Sequence, residues 1–151
     1  MNISQLCEHK VVTIGESEEL TAAAQLMRAR HVGFLVVVAP ATASGKRKVA
    51  GVLTDRDIVV AVLAREVETR QLKVGDVMTR EPLLVEESHP MESALCLMRE
   101  VGVRRVPVVD REGYLVGVLS LDDVLEAMAE QLVNIAASIR SEHRAERALR
   151  Q

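Results

Sequence analysis

The sequence predicts an α+β protein built from two β-α-β-β-α repeats in a pseudo-twofold arrangement. Three observations carry that prediction. "GVLTDRDIVVAV" at residues 51–62 returns as "GVLSLDDVLEAM" at 117–128. Ile3–Val38 lies over Val74–Val109 at a shift of 71 residues, with identities at Ser17/Ser88, Ala23/Ala94, "LMR" 26–28/97–99 and Val37-Val38/Val108-Val109. After Val38 the shift falls to 66, so the first copy carries five extra residues in "APATASGKRKVA", which reads as a longer surface loop.

Each copy opens on a short apolar run, "VVTI" at 11–14 and "LLV" at 83–85, expected to be a strand. An amphipathic helix follows. Leu20, Ala24 and Met27 in one copy, and Met91, Leu95 and Met98 in the other, recur at i, i+4 and i+7, with Ser17 and Ser88 expected as N-caps. Pro90 falls in the first turn of the second helix, where a missing N–H is harmless. Two strands come next: "FLVVV" and "VAGVL" across the long loop, "VPVVD" and "YLVGVL" across "REG", whose Gly113 supplies the turn. The repeated motif then starts a final helix. These boundaries give a first repeat at 1–66, a second at 67–130 and a C-terminal helical extension at 131–151, with the polar "AREVETRQLK" (64–73) as connection.

The extension continues the last helix. Leu125, Met128, Leu132, Ile135 and Ile139 step by three and four, a stripe that packs either on its own repeat or on another subunit. Beyond Ile139, "RSEHRAERALRQ" is charged and expected to fray.

Composition limits the function. Apolar residues make up 48% and charged residues 27%, enough for a sizeable core, yet Phe34 and Tyr114 are the only aromatic side chains. Stacking platforms for single-stranded nucleic acid are therefore missing. The net charge of −3 provides no field for DNA, RNA or anionic lipid. No apolar run is long enough to span a bilayer and "MNISQLCEHK" has no signal-peptide pattern, so a cytoplasmic protein without nucleic-acid or membrane partners is expected. Cys7 and Cys96 match no metal or redox spacing and are expected to be buried, inert thiols. His9, His31, His89 and His143 are scattered without catalytic partners, and no HExxH or CxxC set occurs; the expectation is a protein that is not an enzyme and requires no metal.

With its unit order, its "VGDVMTREP" entry to the second copy, its "GVRRVPVVD" strand and its "GVLTDRD" and "GVLSLDD" strand-to-helix junctions, the chain resembles a tandem pair of CBS domains, a Bateman module, over about residues 3–128. That resemblance implies a homodimeric disc whose clefts hold an adenosine ligand: AMP, ADP or ATP first, NAD or S-adenosylmethionine next.

Two readings of the repeated motif stand side by side. Thr54-x-x-Asp57 and Ser120-x-x-Asp123 are sufficient as helix N-caps, the hydroxyl accepting from the third helical N–H and the acid reaching back. The same atoms also suit a nucleotide, because free N–H groups and a hydroxyl favour phosphate while a carboxylate accepts both hydroxyls of a ribose diol. The resemblance implies the second use, with Thr54 and Asp57 in one cleft and Ser120 and Asp123 in the other. It also carries a phosphate role onto Arg104 and Arg105, most naturally in the second cleft, and Arg56 is a third forked phosphate donor. The first copy departs from the pattern, with Phe34 in place of an arginine and Val36 in place of Pro107, so the clefts should differ. The adenine face implied by the family falls on Val12, Thr13, Ile14, Met78, Thr79, Leu83 and Leu84. "PATASGKR" (40–47) only mimics a phosphate loop, because Pro40 and Arg47 replace its first glycine and its metal-binding hydroxyl; it is expected to be a flexible basic tip. The competing overall reading is an interaction adaptor whose clefts are vestigial.

Overall fold

The computed structural model describes residues 1–150. Its elements run α1 (Ile3–Leu6), β1 (Thr13–Gly15), α2 (Leu20–Arg30), β2 (Phe34–Val38), β3 (Val49–Thr54) and α3 (Asp55–Ile58). The α3 helix widens into a π-helical stretch at Val59–Leu63, closed by the Ala64 N–H donating to the Val59 carbonyl. The second half contributes α4 (Val74–Val77), β4 (Thr79–Arg80), β5 (Val85–Glu86), α5 (Met91–Val101), β6 (Arg105–Val109), β7 (Leu115–Ser120) and α6 (Leu121–Leu149). Two sheets result, β1-β2-β3-β4 and β5-β6-β7. Within each, the first strand runs parallel to the second and the next is antiparallel, so the α+β repeat stands.

The two halves exchange their opening segments. Ile3 and Cys7 are buried among Val85, Met98, Val106 and Leu119, all from the second half. Val74 and Met78 are buried among Leu20, Leu35, Leu53 and Val62 of the first. The backbone follows the same exchange: β4 pairs with β3, and Glu8 forms the matching bridge to Val118. Each core thus combines residues from both halves of the chain, and each fully buried Leu or Val stabilises it by roughly 1.5–3 kcal/mol.

This crossing explains why the repeated motif opens on glycine. A Cβ on Gly51 would lie 2.6 Å from the Thr79 carbonyl oxygen, and one on Gly117 would lie 2.8 Å from Cys7 Sγ and 2.9 Å from the Glu8 carbonyl. A side chain at either position would force the exchanged segment off its sheet.

Several expectations need correction. The opening strands sit one or two residues later than the apolar runs, at Thr13–Gly15 and Val85–Glu86. Helices α2 and α5 begin after Glu19 and Pro90, and neither Ser17 nor Ser88 caps them. The exchanged segments meet those helix starts instead: Leu20 N–H donates to the Leu72 carbonyl, Glu19 bridges Lys73, and Pro90 bridges Asn2. Cys7 is buried, and burial pushes its thiol upward, whereas Cys96 is exposed on α5. Residues after Ile139 remain helical to Leu149.

The long loop is a clasp across the repeats. Lys48 bridges Tyr114, Leu115 N–H donates to the Arg47 carbonyl, and Lys48 Nζ donates to the Glu112 carbonyl. Lys46 Nζ lies 3.3 Å from Asp110 and 3.7 Å from Glu112, and both lysines stand over the Tyr114 ring. The free basic tip expected from sequence is therefore docked, because its charges find an acidic turn on the other repeat.

Candidate nucleotide clefts

The repeated motif forms the same local structure twice. Thr54 Oγ1 accepts from Asp57 N–H at 3.1 Å while Thr54 N–H donates to Asp57 Oδ2 at 2.8 Å. Ser120 Oγ accepts from Asp123 N–H at 3.1 Å, and Ser120 N–H donates back to Asp123 Oδ2 at 3.2 Å. Both capping boxes are complete. A carboxylate offers about four acceptor positions, so holding the cap is compatible with accepting from a ligand hydroxyl.

Each box opens on its own cleft. The larger, of about 770 Å³, is lined by Thr54, Arg56 and Asp57, with Thr79 and Leu83 from the exchanged segment and its continuation. Arg104 and Arg105 reach it from the other repeat. The smaller, of about 360 Å³, is lined by Ser120, Asp122, Asp123 and Arg105, with Val12 from the first repeat. Lys10, Glu8 and His31 also face it, and none of the three was legible as a site residue. His31 carried one signal: it takes a left-handed φ of 55° where the other repeat has Gly102.

Charge separates the clefts. Arg56, Arg104 and Arg105 face Asp55, Asp57 and Glu81 around the Thr54 cleft, an even balance. Around the Ser120 cleft, Lys10 and Arg105 face Glu8, Asp122 and Asp123. A phosphate thus meets three guanidinium groups in one cleft and one in the other.

The placement of Arg104 differs from the expectation. It lines the Thr54 cleft rather than the Ser120 cleft, while Arg105 touches both. Both arginines are ion-paired to Asp122, at 3.2 Å and 3.9 Å. The start of β6 leaves both exposed and both within reach of the same carboxylate.

The adenine face is only partly assembled. Val12, Thr79 and Leu83 line clefts, but in different ones. Ile14 and Met78 are buried in the first core, where strand alternation and the exchange place them. Thr13 lies beside the clasp, accepting from Arg47 at 3.1 Å, and Leu84 is outside both linings. Among the described residues, no group of three or more His, Cys, Asp or Glu side chains is arranged to hold a metal ion, and no helix is long and apolar enough to cross a membrane.

Comparison with known proteins agrees with the fold and with its internal duplication. The chain is 33% identical over 123 residues to Hypoxic response protein 1 of Mycobacterium tuberculosis, covering 82% of each chain. A crystal structure of Hypoxic Response Protein I with two coordinated zinc ions has a TM-score of 0.69 at 30% identity, over 83% of this chain and 98% of that one. Protein MK0525 of Methanopyrus kandleri is 28% identical over 126 residues; the match takes in 83% of this chain but only 62% of that protein. A CBS domain protein from Pyrobaculum aerophilum, solved in complex with AMP, has a TM-score of 0.70 at 26% identity over 82% of this chain and 89% of that one. The CBS domain family model matches twice, at residues 3–64 and 74–130, and the chain belongs to the CBS domain family as a tandem pair.

Proposed function

We propose that this CBS pair is a regulatory sensor of an adenosine nucleotide, without chemistry of its own, in which occupancy of the clefts shifts conformation or partner affinity. One observation carries the reading: a hydroxyl and a carboxylate at a helix start share the 770 Å³ cleft with Arg56, Arg104 and Arg105. The carboxylate suits a ribose diol and the guanidinium groups suit phosphate. AMP in the Pyrobaculum aerophilum relative supports the ligand class. AMP, ADP and ATP fit the three arginines best, ahead of NAD and S-adenosylmethionine. Thr54, Arg56, Asp57, Arg104 and Arg105 are the assigned residues of one cleft, Ser120 and Asp123 those of the other. Val12, Thr79 and Leu83 are the retained candidates for the base.

The working form is a cytoplasmic homodimer. Leu125, Met128, Leu132, Ile135 and Ile139 are all exposed along α6, and Val59, Val60 and Leu63 are exposed beside α3. That stripe equally favours a second reading, in which the protein is an adaptor and the clefts hold nothing.

Calorimetric titration with AMP, ADP, ATP, NAD and S-adenosylmethionine decides between them. The sensor reading expects saturable heat with at least one phosphate-bearing member; no heat with any of them leaves the adaptor.

A further inference from the structure

Resting on the nucleotide reading, we propose that Asp122 couples the two clefts, so that an anion bound in the Thr54 cleft weakens binding of an anion in the Ser120 cleft. The geometry is a three-residue relay. Asp122 lines only the Ser120 cleft, Arg104 lines only the Thr54 cleft, and Arg105 lines both. Arg104 Nη2 lies 3.2 Å from Asp122 Oδ1, and Arg105 Nη2 lies 3.9 Å from Asp122 Oδ2.

A phosphate in the Thr54 cleft competes with Asp122 for both guanidinium groups. To the extent that it wins, Asp122 loses its counter-charges and stands beside Asp123 and Glu8 in the Ser120 cleft. A second anion entering there meets more negative charge than the first did. Linkage makes the effect reciprocal, so filling the Ser120 cleft weakens the other by the same factor.

The relay exists on one side only. At the position of Asp122 the first repeat has Arg56, and at the positions of Arg104 and Arg105 it has Gly33 and Phe34. Repeat symmetry therefore supplies no mirror-image device. The side chains are well exposed, at 74% for Arg104, 48% for Arg105 and 61% for Asp122, so solvent screens the pairs. Exposed pairs of this kind change an equilibrium by about two- to fivefold.

AMP titration at low salt tests the relay in the full chain, in Asp122→Asn, in Asp57→Asn and in the double variant. The coupling factor is the Ser120-cleft affinity with the other cleft silenced by Asp57→Asn, divided by its affinity when that cleft is filled. The expected factor is about two to five with Asp122 present and about one in Asp122→Asn, with the first AMP binding tighter by a similar margin in that variant. At 0.5 M salt the factor should also approach one, since the Debye length falls to a few ångströms. A parent chain that binds AMP with the same affinity and stoichiometry as Asp122→Asn overturns the coupling and leaves the nucleotide reading intact. A parent chain that binds no member of the panel, AMP, ADP, ATP, NAD or S-adenosylmethionine, overturns both.

Discussion

Arg105 stands directly across the β6–β7 ladder from Ser120, in the register position where Phe34 stands across from Thr54. The same backbone address holds a cation in one repeat and an aromatic ring in the other. Because each cleft draws on both repeats, the substitution does not simply make one cleft basic. Arg105 serves both clefts, and Arg104 beside it serves the opposite one.

The exchanged segments predict a steric cost at the repeated glycine. Gly51→Ala places a methyl group 2.6 Å from the Thr79 backbone oxygen, which no flexible side chain can relieve. Overpacking of this kind costs about 1–3 kcal/mol. Urea unfolding should give a lower midpoint for the variant. A midpoint equal to the parent's would mean that β4 leaves β3 at little cost.

The clasp predicts a pH dependence of known sign. Hydrogen bonding from the Tyr114 N–H, followed by the Lys46 ammonium, holds the Asp110 carboxyl below the usual carboxylate range, and Asp110 in turn raises Lys46. A carboxylate lowered in the folded state contributes stability above its unfolded value and loses it as pH falls through the folded one. Parent and Asp110→Asn should thus differ in urea midpoint at pH 7, and the gap should narrow as pH falls below the usual carboxylate range. A gap that stays constant throughout acid titration would contradict the ionic account of the clasp.

Self-association should depend on the exposed stripe of α6. Leu132 and Ile135 both lie in water in the single chain. If they meet a second copy, the paired exchange Leu132→Glu with Ile135→Glu should shift light scattering from a dimer to the 16.6 kDa monomer. Removal of residues 140–151 should leave the dimer in place. A parent chain that is monomeric at micromolar concentration would exclude the disc.

Much of this was legible in the sequence, for identifiable reasons. Strands β2, β3, β6 and β7 are short β-branched runs bounded by turn residues, and Gly113 takes the positive φ its turn requires. Thr54 and Ser120 cap helices because hydroxyl, spacing and acid are all local. The exchange was not legible from the apolar patterns of Ile3–Cys7 and Val74–Met78, since either sheet could bury them. The clue was Gly51 and Gly117, glycines inside strands that mark a close backbone approach. Once the exchange is missed, neither the burial of Met78 in the first core nor the cleft that Arg104 lines can be read from the sequence.

The most direct test of the central claim separates cap from ligand site at Asp57 and Asp123. Replacing either by asparagine keeps the size and much of the capping ability while removing the charge that favours a ribose diol. Losing a hydrogen bond to a charged group costs about 1.5–3 kcal/mol, or roughly ten- to a hundredfold in affinity. The measurement is paired: melting temperature without ligand, and AMP affinity by calorimetry, for parent, Asp57→Asn and Asp123→Asn. The account predicts a small melting shift for both and a loss of AMP affinity that is larger for Asp57→Asn, whose cleft holds three arginines. Variants that melt earlier yet bind AMP as the parent does would make both motifs helix caps alone, and would contradict the assignment of these clefts to a nucleotide.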